Sequence, residues 1–222
     1  AHVMNGVGEP SLIIEGSTSP HSFTLKTSHA KLLAEANLIF WIGEGMETFM
    51  VKPLESIVKN AEVIEFMEVE SIEKLKFREE SVFGDHDDHD EDHDEDHDDH
   101  DEDHDEDHDD HDEDHDEDHD EDHEDHDDHD GHNHGEFDAH IWLDPNNAKE
   151  MVHEIAHELG HLDPANKDKY EANAETTIQA LDQLINDVSK DINKDAKFVV
   201  FHDAYQYFEE RFGVRAAGAL TL

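Results

Sequence analysis

Fifteen of the chain's 23 histidines lie between Asp85 and His134, and 33 of the remaining residues of that stretch are Asp or Glu. The unit His-Asp-Asp-His-Asp-Glu-Asp-His-Asp-Glu-Asp runs without error from His86 to Asp96, His97 to Asp107 and His108 to Asp118. Imidazole nitrogen suits borderline first-row metals, and carboxylates add charge and hard oxygen donors. The chemistry is therefore that of divalent cations. The histidine spacing would line one face of a helix, but carboxylates at the same spacing repel one another. With only Gly131 and Asn133 besides, the run has nothing to form a core and is expected to be disordered without metal. Flexible ligands impose no geometry, so such a run gathers metal without choosing one. A solvated acidic loop would share its charge but not its histidine enrichment.

Three isolated histidines sit beside predicted strand ends. His21 follows the apolar segment 11–15 in Gly-Ser-Thr-Ser-Pro-His, His140 precedes Ile141-Trp142-Leu143, and His202 closes Phe-Val-Val-Phe-His. In open α/β sheets ligands collect in loops beyond strand ends, and three neutral imidazoles with one further donor make a four-coordinate zinc site. Separations of 119 and 62 residues match no local metal motif. By spacing alone, loop or core-edge histidines explain them at least as well.

A competing motif lies in His153-Glu154-Ile155-Ala156-His157-Glu158-Leu159-Gly160-His161, which contains His-Glu-x-x-His twice. On a helix that pattern can hold zinc, with the glutamate as general base of a metallopeptidase. Here Val152, Ile155, Ala156 and Leu159 form the apolar stripe, which leaves the histidines beside it on an exposed face. The helix stops at Asp163-Pro164, and no third-ligand helix follows. A surface zinc site remains compatible with the motif.

The elements that must position these residues alternate between strand and helix. Strands are predicted at 11–15, 38–43, 62–66, 141–143, 198–201 and 214–222. Helices are predicted at 28–37, 46–59, 146–161, 165 to about 193, and 204–212. Leu38 to Gly43 is a continuous apolar run, as expected for a strand covered on both faces of a parallel sheet. Alternation of this kind implies an α/β fold with parallel sheets. A helix of roughly 28 residues would be about 42 Å long, which suits a strut between two lobes better than a crossover within one. Trp41, Phe40 and Trp142 are expected to fill cores, and Tyr205, Tyr207 and Phe208 to position the loop of His202. Asp203 is a candidate hydrogen-bond partner for a ligand nitrogen.

Composition narrows the function. Of the formal charge of −48 the run carries −33, leaving −15 on the other 172 residues, which is ordinary for a globular protein. Fifteen Lys and Arg with no basic patch argue against nucleic acid. No stretch approaches the roughly 20 apolar residues of a membrane span. With no cysteine, any metal site must use nitrogen and oxygen donors. There is no signal peptide in the chain, and both ends look cut.

The segments GSTSPHSFTLKTSHAKLLAEANLIFWIGEGMETFM, FDAHIWLDPNNA and FVVFHDAYQYFEERFG, in that order and with an acidic His-rich insertion before the second, resemble the zinc-binding solute receptors of bacterial ABC transporters, the ZnuA type. The resemblance covers essentially all residues outside the run. It implies two lobes of parallel sheet flanked by helices, joined by one long rigid helix, with the disordered loop inserted in the first lobe. The expected division is 1–164 for the first lobe (including the loop at 85–134), 165–195 for the linking helix and 196–222 for the start of a second lobe, the chain being a fragment lacking both ends of the family pattern. His21 and His140 match metal ligands of the first lobe, and His202 one of the second.

The resemblance further implies a non-enzymatic, monomeric, periplasmic receptor with Zn2+ as transported ligand and the membrane permease of a zinc ABC transporter as partner. Related manganese receptors carry a carboxylate at the third position, so histidine at 202 favours zinc. Pro20 stands where some zinc receptors have a glutamate ligand, which leaves the fourth position unassigned. A manganese receptor, a non-selective metal buffer built on the run alone, and the metallopeptidase are the alternatives.

Overall fold

A computed structural model describes residues 1–16, 19–20, 23–78 and 136–221. The metal-collecting run at 85–134 and the candidate ligand His21 lie outside the described residues. Two small parallel sheets, each flanked by helices, are joined by a long helix, as the strand–helix alternation implies.

The first sheet pairs β1 (Leu38–Trp41) with β2 (Glu62–Glu65), Leu38 opposite Glu62 and Trp41 opposite Glu65. α1 (Thr27–Glu35) precedes β1, and α2 (Thr48–Ser56) crosses from β1 to β2. Leu33, Ile39, Trp41 and Met50 form the buried centre of one core cluster, with Leu54, Ile57 and Val58 packed against it. Trp41 thus fills a core as expected, and Phe40 stacks on Phe66 at 5.7 Å on the other side of the strand. At the end of β1, Gly43 takes φ +150°, and a Cβ there would lie 2.5 Å from Glu65 Oε1. The tight exit lets Glu47 reach back, its Oε2 accepting from the backbone N–H of Ile42 at 2.8 Å and Gly43 at 3.2 Å.

Two expected strands take other forms. Residues 11–15 join neither sheet; Leu12 is 61 % exposed and Ile13 packs on the first core. Residues 141–143 form a 3-10 turn rather than a strand. Short-range bonds win there: Leu143 N–H donates to His140 O at 3.1 Å and Asp144 N–H to Ile141 O at 3.3 Å. A three-residue apolar segment carries too little periodicity to distinguish the two. Trp142 is also less buried than its type suggests, at 36 % exposure.

α3 (Pro145–Leu162) begins on a proline with Asp144 as N-cap, Asp144 Oδ1 accepting from Asn146 N–H at 2.8 Å, the arrangement that helix starts favour. Ala156 and Leu159 are buried and Val152 and Ile155 partly so, matching the predicted stripe. Against them pack Tyr170 and Ala174 of α4 (Lys167–Asp191), with Val3 of the N-terminal turn. α4 has 25 residues and so rises about 37 Å. Asn173 Nδ2 ties it to the carbonyls of Val3 and Asn5, both at 2.9 Å, and Lys149 of α3 reaches Asp182 at 2.8 Å. It leads to β3 (Val199–His202), α5 (Gln206–Phe212) and β4 (Gly218–Thr221), with β3 and β4 parallel.

Candidate metal centre

His140 and His202 come together. Their ring centroids lie 5.2 Å apart, the planes inclined at 66°. His140 sits in the loop before the 3-10 turn and is 8 % exposed. His202 is the last residue of β3, in the second sheet. Two residues 62 apart in sequence are thus neighbours because one closes a strand and the other opens a helix-bound turn.

The His140 ring is held by a residue that spacing did not single out. Asp138, 2 % exposed, places Oδ1 2.7 Å from His140 Nδ1, and the same oxygen accepts the His140 backbone N–H at 2.9 Å. A carboxylate facing Nδ1 makes that nitrogen the protonated one and leaves Nε2 as the nitrogen with the lone pair. This is how metal-binding histidines are commonly oriented, and it raises ligand basicity. The signal was the Asp-x-His order within Phe-Asp-Ala-His, legible only once the backbone is known to turn there.

Burial and the neighbouring His140 push the His202 imidazole below its ordinary pKa, against the opposing pull of Asp203 and Asp138. It is therefore neutral at neutral pH. The Trp142 ring lies 5.4 Å from that of His140 and forms part of the surroundings of this ligand candidate. Asp203 is engaged by Arg78, whose Nη2 donates to Oδ1 at 2.9 Å, while Nη1 donates to Glu209 Oε2 at 2.8 Å.

Tyr207, expected to position the loop of His202, instead uses its hydroxyl to hold the segment that leads to His140. It is 2 % exposed; its O–H donates to the Asp138 carbonyl at 2.6 Å and accepts the Leu75 N–H at 2.9 Å. Burial pushes its pKa up to about 12, so the phenol stays protonated. Tyr205 is 43 % exposed, and Phe208 packs on Phe212 with ring centroids 4.7 Å apart. Arg211, also on α5, forks onto Asp144, with Nε to Oδ1 at 2.7 Å and Nη2 to Oδ2 at 2.5 Å. One carboxylate thus caps α3 and anchors α5. The helix that follows His202 is pinned by Tyr207, Glu209 and Arg211 to the segments that flank and carry His140.

On α3, Glu158 Oε1 lies 2.8 Å from His157 Nδ1, and His157 and His161 face each other through Nε2 atoms 3.2 Å apart. Glu158 is buried and its oxygen is held by an imidazole, not free over a substrate cleft. Among the described residues no helix is long and apolar enough to cross a membrane.

Two helix-flanked parallel sheets bridged by a long helix, with one histidine from each side brought together, define the class. The family model described as ZnuA, zinc-uptake complex component A periplasmic, matches residues 1–221, and the chain belongs to that family. It is 47 % identical over 222 residues to the high-affinity zinc uptake system protein ZnuA of Brucella abortus (strain 2308), covering 99 % of this chain and 63 % of that protein. It is 37 % identical to the protein of the same name from Paracoccus denitrificans, with coverage of 99 % and 62 %. The chain thus spans less than two thirds of the length of these curated relatives. The fold resembles a crystal structure of ZnuA with a TM-score of 0.67 at 21 % identity, over 100 % of this chain and 65 % of that one. It also resembles the Zn(II)-bound ZnuA-like domain of Streptococcus pneumoniae AdcA, with a TM-score of 0.62 at 20 % identity and coverage of 99 % and 61 %.

Proposed function

We propose that the chain is the metal-capturing part of a periplasmic zinc receptor, which binds Zn2+ between its lobes and delivers it to the permease of an ABC transporter. The observation that carries this reading is the His140–His202 pair at 5.2 Å, one imidazole oriented by buried Asp138 and the other kept neutral by its surroundings. His21 is proposed as the third nitrogen ligand. Zinc takes such imidazole sets in four-coordinate geometry. The lobes are proposed to divide at 1–164 and 196–222 with 165–195 linking them, and the run at 85–134 collects metal or senses it. Membership of the family and the names of the relatives support the cargo.

The chain acts as a receptor, not a peptidase, a reading that rests on its membership of the family; in the second His-Glu-x-x-His the glutamate is moreover bound to His157. The test is a zinc titration against a competing chelator with residues 85–134 deleted and folding checked by circular dichroism. One tight site, lost in His140→Ala, is expected. No tight site in the folded deletion variant would move the metal chemistry to the run, and tighter binding of Mn2+ than Zn2+ would favour the manganese receptor.

A further inference from the structure

Outside the His140–His202 centre, the C-terminal end of α3 carries a second convergence of donors. We propose that His157 and His161 form a solvent-facing site for one borderline divalent cation of the Zn2+, Cu2+ or Ni2+ class, separate from the cargo centre. Their Nε2 atoms are 3.2 Å apart and the ring centroids 4.4 Å. Two imidazole nitrogens on one tetrahedral zinc, at about 2.0–2.1 Å each, stand about 3.3–3.4 Å from each other. The spacing of the pair is already close to that of a chelate, so the rings need not move apart; binding requires the hydrogen between them to leave and both lone pairs to turn toward the ion.

The ring of His157 is pre-oriented. Its Nδ1–H donates to Glu158 Oε1 at 2.8 Å, and that side chain is 11 % exposed while His157 is 60 % exposed. A buried carboxylate thus grips the inner nitrogen and leaves the outer one with its lone pair toward His161, the arrangement that tunes metal-binding imidazoles. In the free chain His161 donates its Nε2–H to that lone pair. A cation takes the place of that hydrogen bond as His161 adopts the Nδ1–H tautomer. Glu154, one turn earlier, brings a carboxylate oxygen within 4.8 Å of donors on His157 and Glu158 and adds negative charge beside the cation. The end of α3, at Leu162, adds the negative pole of the helix. Water completes the coordination, which makes the site open and exchangeable. His153, the remaining histidine of the motif, has no place in the pair.

Diethyl pyrocarbonate footprinting of the full chain, read peptide by peptide with and without excess Zn2+, tests this. Zinc is expected to lower carbethoxylation of His157 and His161 severalfold. In His161→Ala the protection of His157 is lost while that of His140 is kept, and in His153→Ala both remain protected. Equal labelling of His157 with and without zinc overturns the proposal, as does protection of His157 that survives His161→Ala. Protection of His140 reports on the cargo centre separately, so failure of one reading is distinguishable from failure of the other.

Discussion

Replacing Tyr207 by phenylalanine removes one atom and strands two partners. The phenol lies in the interior at 2 % exposure, with the Asp138 carbonyl at 2.6 Å and the Leu75 N–H at 2.9 Å. A buried polar group left without its partner costs about 1–3 kcal/mol; with Leu75 only part-buried, about 2–4 kcal/mol in all is the expectation. Domains have about 5–15 kcal/mol to lose. For a chain of this size each kcal/mol moves the melting temperature by about 2–4 °C, so Tyr207→Phe should lower it by about 5–15 °C. Differential scanning calorimetry and urea titration of the metal-free chain would measure this. Because the same hydroxyl holds the backbone of Asp138, whose side chain orients His140, zinc affinity should fall as well in protein that is still folded. A melting temperature within about 1 °C of the parent would refute the reasoning, since it would mean that neither partner depends on the hydroxyl.

Asp138→Asn keeps an oxygen for His140 but removes the charge behind its Nδ1–H; zinc affinity in chelator competition should drop by about 10–100-fold with the fold intact, and unchanged affinity would end the orienting role of Asp138. His202, lowered from its ordinary pKa, implies stability that is fully present above about pH 6.5 and declines as pH falls toward the native value, because the unfolded chain takes up the proton first. Urea midpoints against pH should show that decline in the metal-free chain, and His202→Gln should flatten it. On acidification, zinc should leave in two stages, the run at 85–134 first, since its carboxylates hold imidazolium more strongly; a single release step seen by a zinc indicator would contradict this. Glu47→Ala should cost about 1–3 kcal/mol for each of the Ile42 and Gly43 N–H groups it leaves unpaired. Glu47→Gln should cost far less, because burial already disfavours the charged carboxylate and the amide oxygen can still accept; urea titration of the two variants side by side separates these outcomes.

Legibility in the sequence differs by element. The long helices can be read because periodicity accumulates over many residues: the Val152–Leu159 stripe and the capped start at Asp144-Pro145 identify α3. β1 and β3 stand out as continuous apolar runs. Segments 11–15 and 141–143 look like strands and are not, because three to five apolar residues carry no period and neighbours decide their form. The second histidine of the centre is legible through the resemblance of the segment around it, not through spacing. The scaffold around it is not, since the partners of Tyr207 and Arg211 lie 69 and 67 residues away. Trp142 shows the limit of residue type as a guide to burial, because its ring serves the surroundings of His140.

In the proposed role of His140 and His202 as metal ligands, the charge arrangement of the pair would favour a metal over protons. Two imidazoles with centroids 5.2 Å apart repel when both are protonated, and burial adds to the penalty, as the lowered pKa of His202 records. Asp138 offsets one charge through His140, but the carboxylate nearest in sequence to His202, Asp203, is occupied by Arg78. Protonating both rings would bring two separated charges with only one well-placed counter-charge. A single dication held as proposed would use both lone pairs at once, and its attraction for them would replace the repulsion. Arg78 thus competes for Asp203, and the pull that Asp203 still exerts on His202 is outweighed by burial and by the neighbouring His140.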